Sequence, residues 1–301
     1  MPAKDKIPHA ESGFVTSWDG AKIHYIEAGR SKMQAGNAGA GNPPPGVTVT
    51  EGNGSATGAH EPPSILFVPG FTIPAWIWEN QIAHFSANYR VGAMDLRSQG
   101  ESSKTGEGDY PAAHARDIKA VIDQLHLAPV VLVGGSMGVP EIAAYVDQFG
   151  TSALAGIALV DGVAALDLTP EYIKGSIEFL KGMQANRAQV TDGFVRSMFR
   201  KPQSEEYLQK LIKGSLATPT DSAVAIGLAT FTTDNRPALA RINKPTLIVG
   251  ANKALLPQFQ EMQKSIPGAK LELFDDAGHA LFVDDADKFN IVLDEFLTSL
   301  K

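Results

Sequence analysis

The sequence predicts an α/β fold in which a mostly parallel sheet is flanked by helices on both faces. From Ile65 onward, short apolar runs typical of buried strands alternate with helical patterns. This alternation stops between Asp161 and about Ile242, where only helical patterns occur. It resumes at Pro245, and the chain closes with an amphipathic helix. We therefore expect a parallel sheet with a helical segment inserted after one of its strands.

Composition limits the classes of protein that this chain can represent. Its 301 residues are 44% hydrophobic and 20% charged, which is typical of a large globular domain or of a domain with an insert. A net charge of −7 without a lysine and arginine cluster argues against nucleic acid or an anionic membrane as the main partner. The absence of cysteine excludes disulfides, thiolate metal sites and a cysteine nucleophile. Residues 1–6 lack the apolar core of a signal peptide, and no run of about 18 apolar residues occurs, so we expect a cytoplasmic protein.

The individual elements follow from their hydrophobic periods. Residues 13–18 and 22–27 alternate around Asp19 and Gly20, which predicts two antiparallel strands joined by a two-residue turn. Residues 29–63 are rich in glycine and proline and hold almost nothing large to bury, which predicts a flexible insertion. Further strands are predicted at 65–68, 90–94, 130–133, 154–160, 245–250 and 270–274, and helices at 75–88, 112–127, 137–149, 258–265 and 285–300.

The domain division follows from the place where the strands stop. Helical patterns at 171–184 and 204–213 occupy the gap between the two strand-bearing parts. We expect residues 1–162 and 239–301 to form the α/β core and residues 163–238 to form a helical cap, or lid.

The most informative segment is the apolar run that ends in Gly134-Gly135-Ser136-Met137-Gly138. A strand that leads into Gly-x-Ser-x-Gly and then a helix has to reverse within a residue or two, which strains the serine backbone and exposes its hydroxyl at the sheet edge. A Cβ at Gly134 or Gly138 would collide with neighbouring backbone as the turn closes. The pattern predicts that Ser136 is a nucleophile.

A serine hydroxyl needs a base, and of the seven histidines His279 fits best. It lies on a loop just past the last predicted strand, at the sheet edge where ligands bind in open α/β folds. A loop histidine that only caps the last helix is the structural alternative. The other six lie in polar Gly/Pro-rich segments, in the hairpin or on helices: His9, His60, His24, His84, His114 and His126.

These residues resemble the α/β-hydrolase family, in a form with a lid. The likeness rests on the segment around Ser136, on Gly278-His279, and on residues 95–102, which are similar to the family's Asp-x-Arg-Gly-x-Gly-x-Ser loop with Ser98 in place of glycine. Within the family, Ser136, Gly138 and Glu141 together are similar to the cofactor-free haloperoxidase and perhydrolase branch.

The resemblance implies an oxyanion hole made by the amide after the nucleophile and by one amide from the loop after the third strand. In this chain these are the amides of Met137 and Phe71. The family's usual histidine before Gly70 is replaced by Pro69. The aromatic residues Trp76 and Trp78 either wall an apolar substrate pocket, as we predict, or pack beneath the lid.

The third member of the triad departs from the family pattern. Lys253 stands where the resemblance places an aspartate, and no acidic residue occurs between Ile242 and Glu261. A lysine cannot accept the Nδ1 proton of histidine. We expect Asp161, at the end of the preceding strand, to be the acid, with Asp276 as the second candidate.

We therefore expect a serine hydrolase that cleaves a carboxylic ester of a small apolar substrate, without a metal or another cofactor. The serine nucleophile disfavours epoxide hydrolysis and dehalogenation, which require an alkyl-enzyme ester. Perhydrolase or haloperoxidase-like activity and carbon–carbon bond hydrolysis on the same triad are alternatives. A catalytically impaired homologue that binds a small molecule is another, because of Lys253.

Overall fold

A computed structural model describes residues 7, 10–29 and 62–300. Within these ranges eight strands form one sheet in the order β1-β2-β4-β3-β5-β6-β7-β8. Only the pairs β1/β2 and β2/β4 are antiparallel, so the predicted mostly parallel sheet is confirmed. The strands are β1 (Glu11–Thr16), β2 (Lys22–Ala28), β3 (Ser64–Val68), β4 (Val91–Met94), β5 (Val130–Gly135), β6 (Leu154–Val160), β7 (Thr246–Gly250) and β8 (Lys270–Leu273).

Helices follow most of the parallel strands. In the described part of the chain they are α1 (Glu79–Phe85), α2 (Pro111–Gln124), α3 (Gly138–Phe149), α4 (Pro170–Ala185), α5 (Arg187–Ser197), α6 (Glu205–Leu216), α7 (Thr220–Thr232), α8 (Arg236–Leu239), α9 (Leu256–Ser265), α10 (Leu281–Asp284) and α11 (Ala286–Thr298). Two core clusters lie on opposite faces of the sheet, one containing apolar residues of α2, α3 and α9, the other those of α1 and α11.

The central strand β5 illustrates why the parallel strands are continuous apolar runs. Val130 and Leu132 belong to the core cluster on one face, and Val131 and Val133 to that on the other. Side chains alternate between the two faces of a strand, and both faces of this sheet are covered by helices. All four side chains are consequently fully buried.

The first two strands are joined differently from the prediction. The connection spans Ser17 to Ala21, with the Ser17 amide donating to the Ala21 carbonyl at 2.8 Å, so it is not a two-residue turn. Gly20 adopts the predicted positive φ, at 90°. The longer connection allows Asp19 to reach the buried Arg97 guanidinium, with Nη1 and Oδ2 2.6 Å apart. The longer turn thus carries one partner of a tertiary ion pair.

Two further differences concern segment limits. The helix predicted at 75–88 begins with a 3₁₀ turn at Ala75–Trp78 and continues as α1 only to Phe85. Residues 30–61 of the predicted insertion lie outside the described residues, as do His9 and His60.

Five helices, α4 to α8, occupy the chain between β6 and β7. We call them the inserted helices. The first begins at Pro170 after Thr169, whose hydroxyl accepts a hydrogen bond from the Tyr172 amide, which is the usual way to satisfy a free N–H at a helix start. In the insert α4 packs against α5 and α7, and α5 packs against α6. No helix among the described residues is long and apolar enough to cross a membrane.

Candidate active site

Ser136 lies in the tight turn between β5 and α3. Its φ is 54°, in the left-handed region that costs a non-glycine residue about 1–2 kcal/mol, and its amide donates to the Val160 carbonyl of β6 at 2.7 Å. A Cβ on Gly134 would lie 2.6 Å from the Gly138 carbonyl oxygen, and one on Gly138 would lie 2.5 Å from the Val68 carbonyl oxygen. The turn therefore requires both glycines, as the sequence predicts, and holds Ser136 at the carboxyl end of the sheet.

Asp161 directly follows β6, the strand beside β5. It is only 1% exposed and has a positive φ of 44°. Its Oδ1 accepts hydrogen bonds from the Ala251 and Asn252 amides at 2.7 and 2.9 Å. These amides follow β7, the next strand in the sheet. The hydrogen bonds therefore hold the carboxylate, which follows β6, against the end of β7. Its second oxygen, Oδ2, lies 2.7 Å from Nδ1 of His279.

His279 is held on a loop between β8 and α10. The carboxylate of Asp284 accepts hydrogen bonds from the Gly278 and Arg200 amides, both at 2.7 Å, and the Ala280 amide donates to the Met198 carbonyl at 2.9 Å. Met198 and Arg200 lie just beyond the end of α5. The histidine loop is thus tied to the inserted helices as well as to the sheet.

Ser136 and His279 line one apolar cavity at the carboxyl ends of the strands. Among the described histidines, only His279 reaches this cavity. The remaining wall is made of Gly70, Phe71, Ile73, Ile77, Gly135, Phe194, Met198, Ala280 and Phe282. The volume open to the centre of a water molecule is about 20 Å³, room for one or two water molecules.

The two amides implied for an oxyanion hole are those of Phe71 and Met137. Phe71 lines the same cavity, and Met137 is the residue that precedes α3. Within the described ranges neither amide donates a hydrogen bond to another protein group. A Cβ on Gly70 would lie 3.0 Å from the Ser136 Cβ and 3.4 Å from its Oγ, so glycine is needed for the close approach of this loop to the nucleophile.

The two other residues considered for the acid position lie at the surface. The Lys253 ammonium is 3.2 Å from the Asp275 carboxylate, and both side chains are more than 70% exposed. Asp276, which is 78% exposed, pairs with the Arg200 guanidinium at 3.2 Å. Of the candidate carboxylates, Asp161 is the one that the fold brings to His279.

Trp76 and Trp78, which we predict to wall a substrate pocket, do not line the cavity at Ser136. Trp78 is fully buried, with its ring centroid 3.8 Å from that of Phe282 and 4.8 Å from that of Phe67. Trp76 packs edge-on against Tyr207, with the Lys210 ammonium 3.9 Å from its ring centroid. Burial against the sheet and against α6 accounts for both indoles, so the apolar wall comes from Ile73, Ile77 and Phe282 instead.

The loop at residues 95–102 contacts the segment that follows Phe71. The Asp95 carboxylate accepts hydrogen bonds from the Ala75 amide at 2.6 Å and the Glu101 amide at 2.9 Å. Ser98 has a φ of 60°, which explains the family's preference for glycine at this position. The loop therefore fixes the start of the 3₁₀ turn that follows Phe71.

Several contributors to the site carried no sequence signal. Phe194 and Met198 come from the inserted helices, and the Ala251 and Asn252 amides act through their backbone. For these residues the sequence holds one indication: Asn252 lies just after a predicted strand, at the carboxyl end of the sheet. Among the described residues, no three His, Asp or Glu side chains are grouped so that they could hold a metal ion.

Comparison with known proteins agrees with this fold. A model of the alpha/beta hydrolase family matches residues 65–291. The chain is 30% identical over 281 residues to a putative non-heme chloroperoxidase of Synechocystis sp., covering 84% of this chain and 99% of that protein. It is 28% identical over 232 residues to a 2-hydroxy-6-oxononadienedioate/2-hydroxy-6-oxononatrienedioate hydrolase of Escherichia coli K12, covering 70% and 77%.

A solved esterase from Exiguobacterium antarcticum has the same fold. It superposes with a TM-score of 0.80 at 22% identity, over 95% of this chain and 99% of the esterase. The family match spans most of the chain and confirms the resemblance drawn from Ser136 and His279. The chain therefore belongs to the alpha/beta hydrolase family.

Proposed function

We propose that this protein is a serine hydrolase that cleaves a carboxylic ester of a small, apolar substrate. One observation carries the proposal. The Asp161 carboxylate lies 2.7 Å from His279 Nδ1, while His279 and Ser136 line the same apolar cavity. A nucleophile, a base and a buried acid in this relation are the parts that acyl transfer requires.

In the first half of the reaction Ser136 Oγ attacks the ester carbonyl carbon, and its proton passes to His279 Nε2. Asp161 accepts the hydrogen bond from Nδ1, which keeps the ring in the tautomer with a free Nε2 and stabilises the imidazolium. The Phe71 and Met137 amides donate to the oxyanion, and the loss of one such donor costs about 3 kcal/mol. The ester C–O bond then breaks, and His279 returns the proton to the departing alcohol.

In the second half a water molecule attacks the acyl group on Ser136. His279 takes a proton from the water, and the carbonyl–Oγ bond breaks to release the carboxylic acid. Ser136 Oγ recovers its proton from His279. The same residues act in both halves, and no further group is required for the balance of atoms.

Residues 163–238 serve as a lid in this proposal, and residues 1–162 with 239–301 form the core. The support comes from α5, which reaches the cavity through Phe194, and from the neighbouring Met198. Both are apolar, as are Ile73, Ile77 and Phe282 on the opposite wall. An uncharged substrate arm suits such a lining, because a buried charge without a partner is costly.

The test is turnover of a series of p-nitrophenyl esters by wild type and by Ser136→Ala. We expect Ser136-dependent turnover and, after rapid quenching, an acyl group on Ser136 detectable by mass spectrometry. Ester turnover that persists in Ser136→Ala would overturn the proposal. Labelling by a fluorophosphonate distinguishes an active enzyme from an impaired homologue that only binds a small molecule, since labelling requires an activated serine.

Perhydrolysis is a second candidate, favoured by the 30% identity to a putative non-heme chloroperoxidase. Hydrogen peroxide would replace water in the attack on the acyl group of Ser136 and release a peracid. Oxidation of bromide in acetate buffer with peroxide reports this activity. A rate that disappears in Ser136→Ala would assign it to the same site. Carbon–carbon bond hydrolysis remains a third use of the triad, tested with a ring-cleavage product as substrate.

A further inference from the structure

A second cavity lies outside the active site, between α4 and α5. It is a groove of about 620 Å³ that opens widely to solvent, whereas the cavity at Ser136 is largely closed and holds about 20 Å³. Binding pockets for small molecules are typically 300–1,000 Å³, so the cavity at Ser136 is by itself too small for a substrate arm. Its wall includes Phe179, Gly182, Val190 and Gly193, and none of its lining side chains is charged. We call it the α4/α5 groove.

Phe194 is the residue that lines both the cavity at Ser136 and the α4/α5 groove. Its ring meets that of Phe71 edge-on at 5.8 Å between centroids and that of Phe179 at 6.3 Å. Phe71 in turn lines the cavity at Ser136. A continuous line of aromatic rings therefore runs from the nucleophile to the α4/α5 groove.

The inserted helices are anchored on the other side of the cavity. The Ala280 amide donates to the Met198 carbonyl, and Asp284 accepts from the Arg200 amide, so the end of α5 is held to the histidine loop. On α6, the Ser215 hydroxyl is 2.7 Å from that of Thr72. Displacing α5 or α6 as a whole breaks these bonds, whereas turning the Phe194 side chain does not.

We propose that the α4/α5 groove receives the apolar arm of the substrate while its carbonyl carbon lies at Ser136, with Phe194 as the movable wall between them. This rests on the proposed ester hydrolysis and adds the class of substrate: a neutral ester with one elongated aliphatic or aryl arm. The lining supports a neutral arm, since polar members such as Asn186 and Gln189 carry no charge. The rotation of one ring joins the two spaces.

Gly193 offers a direct test because it lines the groove and a Cβ there meets nothing within 4 Å. Gly193→Leu adds an apolar side chain at the groove on α5, where its Cβ has free space, and replaces a poor helix former by a good one. Gly175 on α4 is the matched control. It is also an exposed helical glycine with nothing within 4 Å of its Cβ, and it lies outside the groove lining.

The experiment measures kcat/KM for p-nitrophenyl esters from acetate to octanoate, and for alkyl acetates of the same chain lengths. Burial of one additional methylene group of the substrate should raise kcat/KM about fourfold. In wild type we expect kcat/KM to rise with chain length in one of the two series. In Gly193→Leu the ratio of the longest to the shortest substrate should fall at least about tenfold in that series, and Gly193→Ala should give a smaller fall. Gly175→Leu should keep the wild-type ratio.

Three outcomes would overturn the proposal: no rise with chain length in wild type, a Gly193→Leu ratio within about threefold of wild type, or an equal fall in Gly175→Leu. Melting temperatures of the variants check that each one is folded. If wild type shows no Ser136-dependent turnover of any ester, the proposed function fails and the groove assignment fails with it. Normal turnover with unchanged chain-length selectivity refutes the groove alone.

Discussion

Replacing Asp161 with asparagine changes one atom of the site, and the hydrogen bonds around the carboxylate predict how the amide will orient. Oδ1 of Asp161 accepts from the Ala251 and Asn252 amides, so an asparagine oxygen is required at that position. The reverse orientation breaks both hydrogen bonds and turns the NH₂ protons toward two N–H donors, which is unfavourable. The side-chain NH₂ must therefore face His279.

An NH₂ group at the Oδ2 position can only donate a hydrogen bond to His279 Nδ1 and cannot accept one. The ring then has to present its lone pair at Nδ1 and carry its proton on Nε2, which cannot accept the proton of Ser136. We expect kcat to fall by about 10³ to 10⁴, equivalent to about 4–5.5 kcal/mol of transition-state stabilisation, with little change in KM. The upper limit is that of the same replacement in a serine protease triad.

The assay is steady-state hydrolysis of a p-nitrophenyl ester, with the melting temperature as a check on folding. Asp276→Asn is the matched control, because Asp276 is exposed and pairs only with Arg200 in the described structure. It should stay within about threefold of wild type. The reasoning is refuted if Asp161→Asn retains kcat within about threefold of wild type, or if Asp276→Asn is impaired as severely.

Two other substitutions test separate features. Gly70→Ala places a methyl group 3.0 Å from the Ser136 Cβ, so kcat should fall at least about tenfold while the melting temperature changes by only a few degrees, and unchanged kcat would contradict this crowding. Glu141→Gln removes the anion beside the fully buried His114, whose Nδ1 lies 2.9 Å from Glu141 Oε1. Burial by itself lowers the pKa of His114, but the interactions with Glu141 outweigh it and raise the pKa above 6.5. A raised histidine pKa stabilises the fold fully below pH 6.5 and loses this effect as the pH rises through the folded value. In urea unfolding, the free energy of unfolding of Glu141→Gln should therefore be about 3 kcal/mol below that of wild type at pH 6, and the difference should be smaller at pH 9. A difference that does not depend on pH would contradict the charged pair.

The sequence by itself determined the fold class and the identity of the turn that holds Ser136. Both depend on local rules: the apolar run Val130–Val133 is a strand buried on both faces, and the glycines around Ser136 are required by contacts with Val68 and Gly138. His279 could also be chosen from its place after the last strand. These features are encoded within a few residues, so periodicity and turn chemistry suffice to find them.

Only the tertiary structure decided which carboxylate reaches His279 and what surrounds the two residues. The order β5-β6-β7 brings Asp161, the Ala251 and Asn252 amides and the histidine loop together from distant parts of the chain. The same applies to Trp78, for which the sequence leaves a pocket wall or internal packing open and whose ring stacks on that of Phe282 in the fold. An aromatic side chain packs equally well in the core or in the wall of a pocket. Which of the two it occupies depends on long-range packing, which no local sequence pattern contains.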